Sequence, residues 1–161
     1  MQTLAREDIE KAWLESLKAP AADAKQWMEE LMQEQPAIDA YLFSADEHFC
    51  PSDERGVVFL LGFFIYKMYV DRHQDLKPVD FTDLKEAEIN NIQKLYELAE
   101  GAHFHFDEAM AKLEPNYRQM PLLNWLKDHL SSIHPGSDRW PDANFRLAVV
   151  HLKTVMDCLD Q

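Results

Sequence analysis

Apolar residues recur at three- and four-residue spacing from one end of this 161-residue chain to the other, a period that fits helices and not strands. Ile9, Ala12, Trp13 and Leu17 form one such stripe, and Ala24, Trp27, Met28 and Leu31 a second. Ile38, Tyr41, Leu42, Ala45 and Phe49 form a third. Between Val57 and Val70 the chain is apolar on almost every side, the pattern of the most enclosed helix in a bundle. From Ile89 to Leu113 the period holds through Ile92, Leu95, Phe106 and Met110, which predicts a very long helix kinked at Gly101 or two helices end to end. Two further stripes run through Leu122, Trp125 and Leu130 and through Phe145, Leu152 and Leu159. No stretch alternates with period two, and Val, Ile and Thr are few, so a sheet is not expected.

Proline marks the helix starts. Pro20, Pro36, Pro51, Pro121 and Pro141 each stand where an amphipathic run begins, the place where a missing N–H costs a helix nothing. The expected fold is therefore an all-α, single-domain helical bundle of about seven helices.

The stretch from Arg72 to Thr82 has no period and reads as a connector, dividing the chain into halves 1–72 and 83–161. Each half alone is small enough to be marginal, so the halves should share one core. Placing Gln35 on Gln119 aligns Ile38 with Leu122, Tyr41 with Trp125, Leu42 with Leu126 and Pro51 with Pro135. Helical period supplies much of that agreement by itself; the shared proline it does not supply. If the halves are duplicated, they would pack about a pseudo-twofold axis and leave a groove between them.

The net charge of −13 disfavours nucleic acid as a partner, because phosphate binding depends on Lys and Arg. Residues 1–54 hold 13 acids against 4 bases, which gives either a solvated face or a surface for a basic protein partner. Glu29, Glu30 and Glu34 are the candidates on that surface. Phe104 joins them, because on a regular helix it turns away from the apolar stripe and lies between Glu97, Glu100 and Glu108. The longest apolar run, fourteen residues broken by Lys67, falls short of the ~20 a membrane span needs. Cys50 and Cys158 form no CxxC pair, and Met-Gln-Thr-Leu-Ala-Arg-Glu-Asp lacks the basic-then-apolar layout of a signal peptide. A cytoplasmic protein is the expectation.

The chain has four glycines and none sits in GxGxxG or a P-loop, which disfavours phosphate-cradling enzymes. Glu100-Gly101-Ala102-His103 is the only ExxH, and no HxxxH occurs, so half of a carboxylate-bridged di-metal signature is missing. On a regular helix Glu100, His103 and Asp107 share a flank. They are candidate metal ligands, with His48, His129 or His151 contributed by other helices; the same trio also suits a core-boundary histidine bonded to its carboxylate neighbours. His48 and Cys50 suggest a Cys–His pair, but no orienting motif surrounds them. Cys158 lies beside Asp157 and Asp160, whose charges raise a thiol pKa.

With no catalytic constellation and no cofactor implied, the expected function is non-enzymatic: a helical protein-interaction or regulatory protein, with self-association as a homodimer one form of it. The alternatives are a metal or small-molecule site between helices near Glu100, His103 and Asp107, and an acidic inhibitor of a basic effector.

Overall fold

The computed structural model describes residues 3–49, 56–72, 76–99, 105–133 and 142–160, with backbone alone at 46–49, 133 and 142. Within these it is all-helical. The elements are α1 (Arg6–Lys18), α2 (Ala21–Glu34), α3 (Pro36–Phe49), α4 (Val57–Val70), α5 (Phe81–Leu98), α6 (Phe106–Leu113), α7 (Met120–Ile133) and α8 (Asp142–Leu159). A short 3-10 turn, Glu114–Asn116, follows α6. Pro20 is the N-cap of α2, Pro36 opens α3 and Pro121 lies in the first turn of α7, so these three prolines mark helix starts as expected. Gly56 precedes α4 at φ 100°, a left-handed position that a side chain would strain.

Two boundaries differ from expectation. The helix after the connector begins at Phe81, because Asp80 caps it. The Asp80 carboxylate accepts the N–H groups of Thr82 (2.7 Å) and Asp83 (2.9 Å), and Asp83 accepts the Asp80 N–H in return (3.1 Å). The long helix predicted through Gly101 is not continuous either. α5 stops at Leu98, and α6 folds back so that Phe106 shares a cavity with Ile92, Leu95 and Tyr96. Fourteen residues of straight helix would hold Ile92 and Phe106 about 21 Å apart. The periodicity survives the reversal because both helices turn their stripes to the same core.

The axis of the bundle is α8, which packs against α3, α4, α5 and α7. Its residues from Ala148 to Met156 are buried without interruption, as are those of α4 from Leu61 to Tyr66. α8 is therefore enclosed to about the same degree as α4, and each has an exposed residue near its start, Ala143 and Leu60. The buried stretch of α8 includes His151, Lys153 and Thr154, whose polar atoms have partners on other elements or on the helix backbone. α3 and α4 approach closely where Gly62 meets Leu42; a Cβ at Gly62 would fall inside that leucine side chain.

Two buried glutamines hold the lead-ins to α1 and α5. Gln35, just before α3, donates to the Lys77 carbonyl (3.0 Å) and accepts the Val79 N–H (2.9 Å). Gln119, just before α7, accepts the Leu4 N–H (3.3 Å). Leu4 and Val79 are both buried, each shortly ahead of its helix. Gln35 and Gln119 are the two residues that the sequence alignment of the halves superposes, and each grips the other half's lead-in.

Candidate functional site: an aromatic cleft between α1, α2 and α4

α1 packs on α7 and α4, and α2 on α3 and α4, so the two N-terminal helices lie on a common floor more than on each other. The cleft left between them contains two adjoining cavities of about 90 and 200 Å³, which share Ser16, Trp27, Phe64 and Lys67. One end is apolar, lined by Leu17, Ala24, Leu60 and Phe63. The other is polar, with Glu15 and Asp71. Lys67 spans the two: its ammonium sits 4.9 Å from the centre of the Trp27 ring and pairs with Asp71.

An aromatic wall stiffens the α1 side. Trp13 meets Phe64 (5.1 Å between ring centres), Trp125 (5.3 Å) and His129 (4.7 Å) edge-on, and Trp125 stacks on His129 at 4.7 Å and 15°. Burial lowers the His129 pKa below its ordinary value, which keeps the imidazole neutral at pH 7. The rim is apolar and open: Leu17 is 61% exposed and Leu60 47%.

The acidic candidates on α2 divide between its faces. At 100° per residue Glu34 lies about 20° and Glu30 about 60° from Trp27, on the side away from Ala24, and neither lines the two cavities. Tyr66 fixes Glu34 there by donating its hydroxyl to the carboxylate (2.9 Å), and Glu30 accepts from Gln26 (2.9 Å). Glu29 lies about 160° away from Trp27 and pairs with Lys25 at 3.5 Å, so it borders the opposite face.

A second polar constellation lies in the core between α5, the 3-10 turn and α8, and the sequence reading missed it. Asp157 accepts hydrogen bonds from Lys153 (2.6 Å), Asn91 (2.8 Å) and Tyr117 (2.8 Å). Lys153 also donates to Asn91 (2.7 Å), and its ammonium is 4.2 Å from the Tyr117 ring centre. Burial, reinforced by Asp157 at Tyr117 and by Asp160 and then Asp157 at Tyr69, pushes both hydroxyls well above the usual tyrosine pKa. Cys158 is buried, and desolvation followed by the Asp157 charge pushes its thiol up to about 12, so no thiolate forms near neutrality. These groups satisfy one another's hydrogen bonds, which suits a structural clamp. The available signal was the Lys153–Asp157 pair itself, four apart on one flank of α8.

Of the remaining candidates, Glu100, His103, Phe104 and Cys50 lie outside the described residues, as does the side chain of His48. Asp107 opens α6 with its side chain 94% exposed, 3.9 Å from Lys127. His151 stacks on Tyr41 and approaches Glu88 at 3.6 Å. Among the described residues, no group of three or more His, Cys, Asp and Glu side chains comes together as metal ligands would. No helix among them is long and apolar enough to cross a membrane.

Fold and cleft together define a helical bundle that carries an open aromatic groove near its N-terminus. No protein-family model, curated protein or solved structure matches the chain.

Proposed function

We propose that the protein is a non-enzymatic interaction module whose α1/α2/α4 cleft takes an amphipathic helix of a partner protein, with an apolar stripe flanked by Lys and Arg. The observation that carries this reading is the exposure of Leu17 and Leu60 in the lining of a groove that contains Trp27. Apolar side chains left open around a tryptophan are what a helix-in-groove partner covers.

Charge selects the occupant. Glu15 and Asp71 stand at its polar end, and Glu30 and Glu34 belong with Glu15 to residues 1–54, the segment that carries most of the chain's negative charge. A basic flank on the partner is attracted at this rim. A second copy would bring another chain of charge −13 to the same face, which makes a homodimer through the cleft the weaker alternative. Inhibition of a basic effector is one form this binding can take.

The test compares immobilised wild type with Leu17→Glu/Leu60→Glu and with Glu30→Lys/Glu34→Lys in capture from the native cells at low and high salt. Ile89→Glu, which alters an exposed residue of α5, is the control. A partner retained by wild type and by the control, lost with both double variants and weakened by salt, is the expected result. Equal retention by all four proteins would refute the reading.

A further inference from the structure

Residues 10–30, which include the tip where α1 turns into α2, are the longest described stretch without a buried residue. The buried residues of this arm stand at its roots, Leu4 and Ile9 around the start of α1 and Leu31 in the last turn of α2. Its polar ties stand there too. Gln119 accepts the Leu4 N–H (3.3 Å), Arg6 pairs with Asp128 of α7 (3.0 Å), Asp8 pairs with Arg72 after α4 (3.3 Å), and Tyr66 of α4 donates to Glu34 (2.9 Å). Nearer the tip, Trp13 rests edge-on against Phe64 and Trp125, and Trp27 takes the Lys67 ammonium on its ring.

We propose that residues 10–30 form a lid over α4 and α7 that lifts about these roots, with Trp13 as the latch, and that lifting regulates entry to the cleft. Segments with few buried apolar contacts open at the lowest free-energy cost, and the lids of binding sites come from that end of the range. The backbone hydrogen bonds at the tip, from Ala19 to Ser16 and from Asp23 and Ala24 to Pro20, close within the arm, so lifting leaves them intact. The closed cleft is also too small for the occupant proposed above. One turn of a helix about 10 Å across and about 5.4 Å long fills about 400 Å³. The two cavities measure about 90 and 200 Å³. Shut, the groove admits side chains from its rim; a helix backbone reaches Phe64 and Met68 only when α1 and α2 part from the floor. That last step rests on the cleft reading, whereas the lifting does not.

Hydrogen exchange of the full-length protein, read by mass spectrometry, tests the lid. Once lifted, α1 and α2 are unpacked helices of 13 and 14 residues, a length marginal in water, so lifting opens their amides to exchange. Residues 13–30 should exchange as a group at least about 100-fold faster than residues 148–156 of α8, and with a weaker dependence on urea. Trp13→Ala should speed the arm about tenfold and leave α8 unchanged, with Trp13→Phe in between. Ala24→Leu, which adds apolar volume to the smaller cavity, should slow it. Protection of the arm equal to that of α8, or Trp13→Ala speeding α8 as much as the arm, would overturn the lid. Entry is read by a small thiol reagent on Met68→Cys in a Cys50→Ser chain, since Met68 is buried and lines the larger cavity. Trp13→Ala should speed that labelling about tenfold, and labelling unmoved by it would refute the regulation. An arm that lifts while no partner is retained in capture sinks the cleft reading alone; an arm protected like α8 with a partner retained sinks the lid alone.

Discussion

Replacing Asp157 by alanine should be among the most damaging single changes in the molecule. Asp157 is the acceptor shared by Lys153, Asn91 and Tyr117, and the Lys153 side chain is only 8% exposed. Without the carboxylate, a buried ammonium loses its counter-charge, and such half-broken pairs cost about 3–5 kcal/mol. That is a large part of the roughly 5–15 kcal/mol that holds a domain folded. At roughly 2–4 °C per kcal/mol for a chain of this size, the thermal midpoint should fall by about 6–20 °C. Removing both charges in a shape-conserving way, as in Asn91→Leu/Lys153→Met/Asp157→Leu, should recover most of the loss, since apolar replacement of a whole buried pair is often close to neutral. Urea unfolding followed by circular dichroism measures all these variants. If Asp157→Ala costs under about 1 kcal/mol, the network behaves as a solvated surface pair and the description of α8 as the enclosed axis is wrong.

Two further outcomes follow from the packing. Gly62→Ala forces its new methyl into the buried Leu42 side chain and should destabilise by about 1–3 kcal/mol, with Leu42→Ala in the same background restoring part of the loss; an unchanged urea midpoint would contradict the close approach of α3 and α4. His129 has a folded pKa below its ordinary value, so the unfolded chain takes up a proton first as pH falls; its contribution to stability is complete above about pH 6.5 and is lost as pH drops through the window below. His129→Phe should flatten that part of the stability–pH curve, and a curve of unchanged slope would refute the assignment.

Much of the fold was legible because helical period and proline position are local properties. The stripe through Trp13 and Leu17, the starts at Pro20, Pro36 and Pro121, and the exclusion of strands all follow from neighbours along the chain. The reversal between Leu98 and Phe106 was not legible, since two helices facing one core keep a common phase whether or not the chain turns back. The burial of Lys153 was hidden for a related reason: a charged pair four residues apart looks solvated until Asn91 and Tyr117 arrive from elsewhere in the chain. Gln35 and Gln119 show the opposite case. The alignment paired them by pattern alone, and the structure gives both the same task. The cleft was only half visible. Trp13 and Trp27 read as core residues on their own helical wheels, and a wheel carries no information about how α1 and α2 divide the surface of α4.

Site-specific photo-crosslinking from position 17 in living cells addresses the cleft most directly. With the photoreactive residue in place of Leu17, the account predicts crosslinks to an amphipathic, Lys/Arg-flanked helical segment of another protein, lost when Glu30→Lys/Glu34→Lys is added. Crosslinks that fall on a second copy of this chain, or on segments without a basic flank, would contradict it.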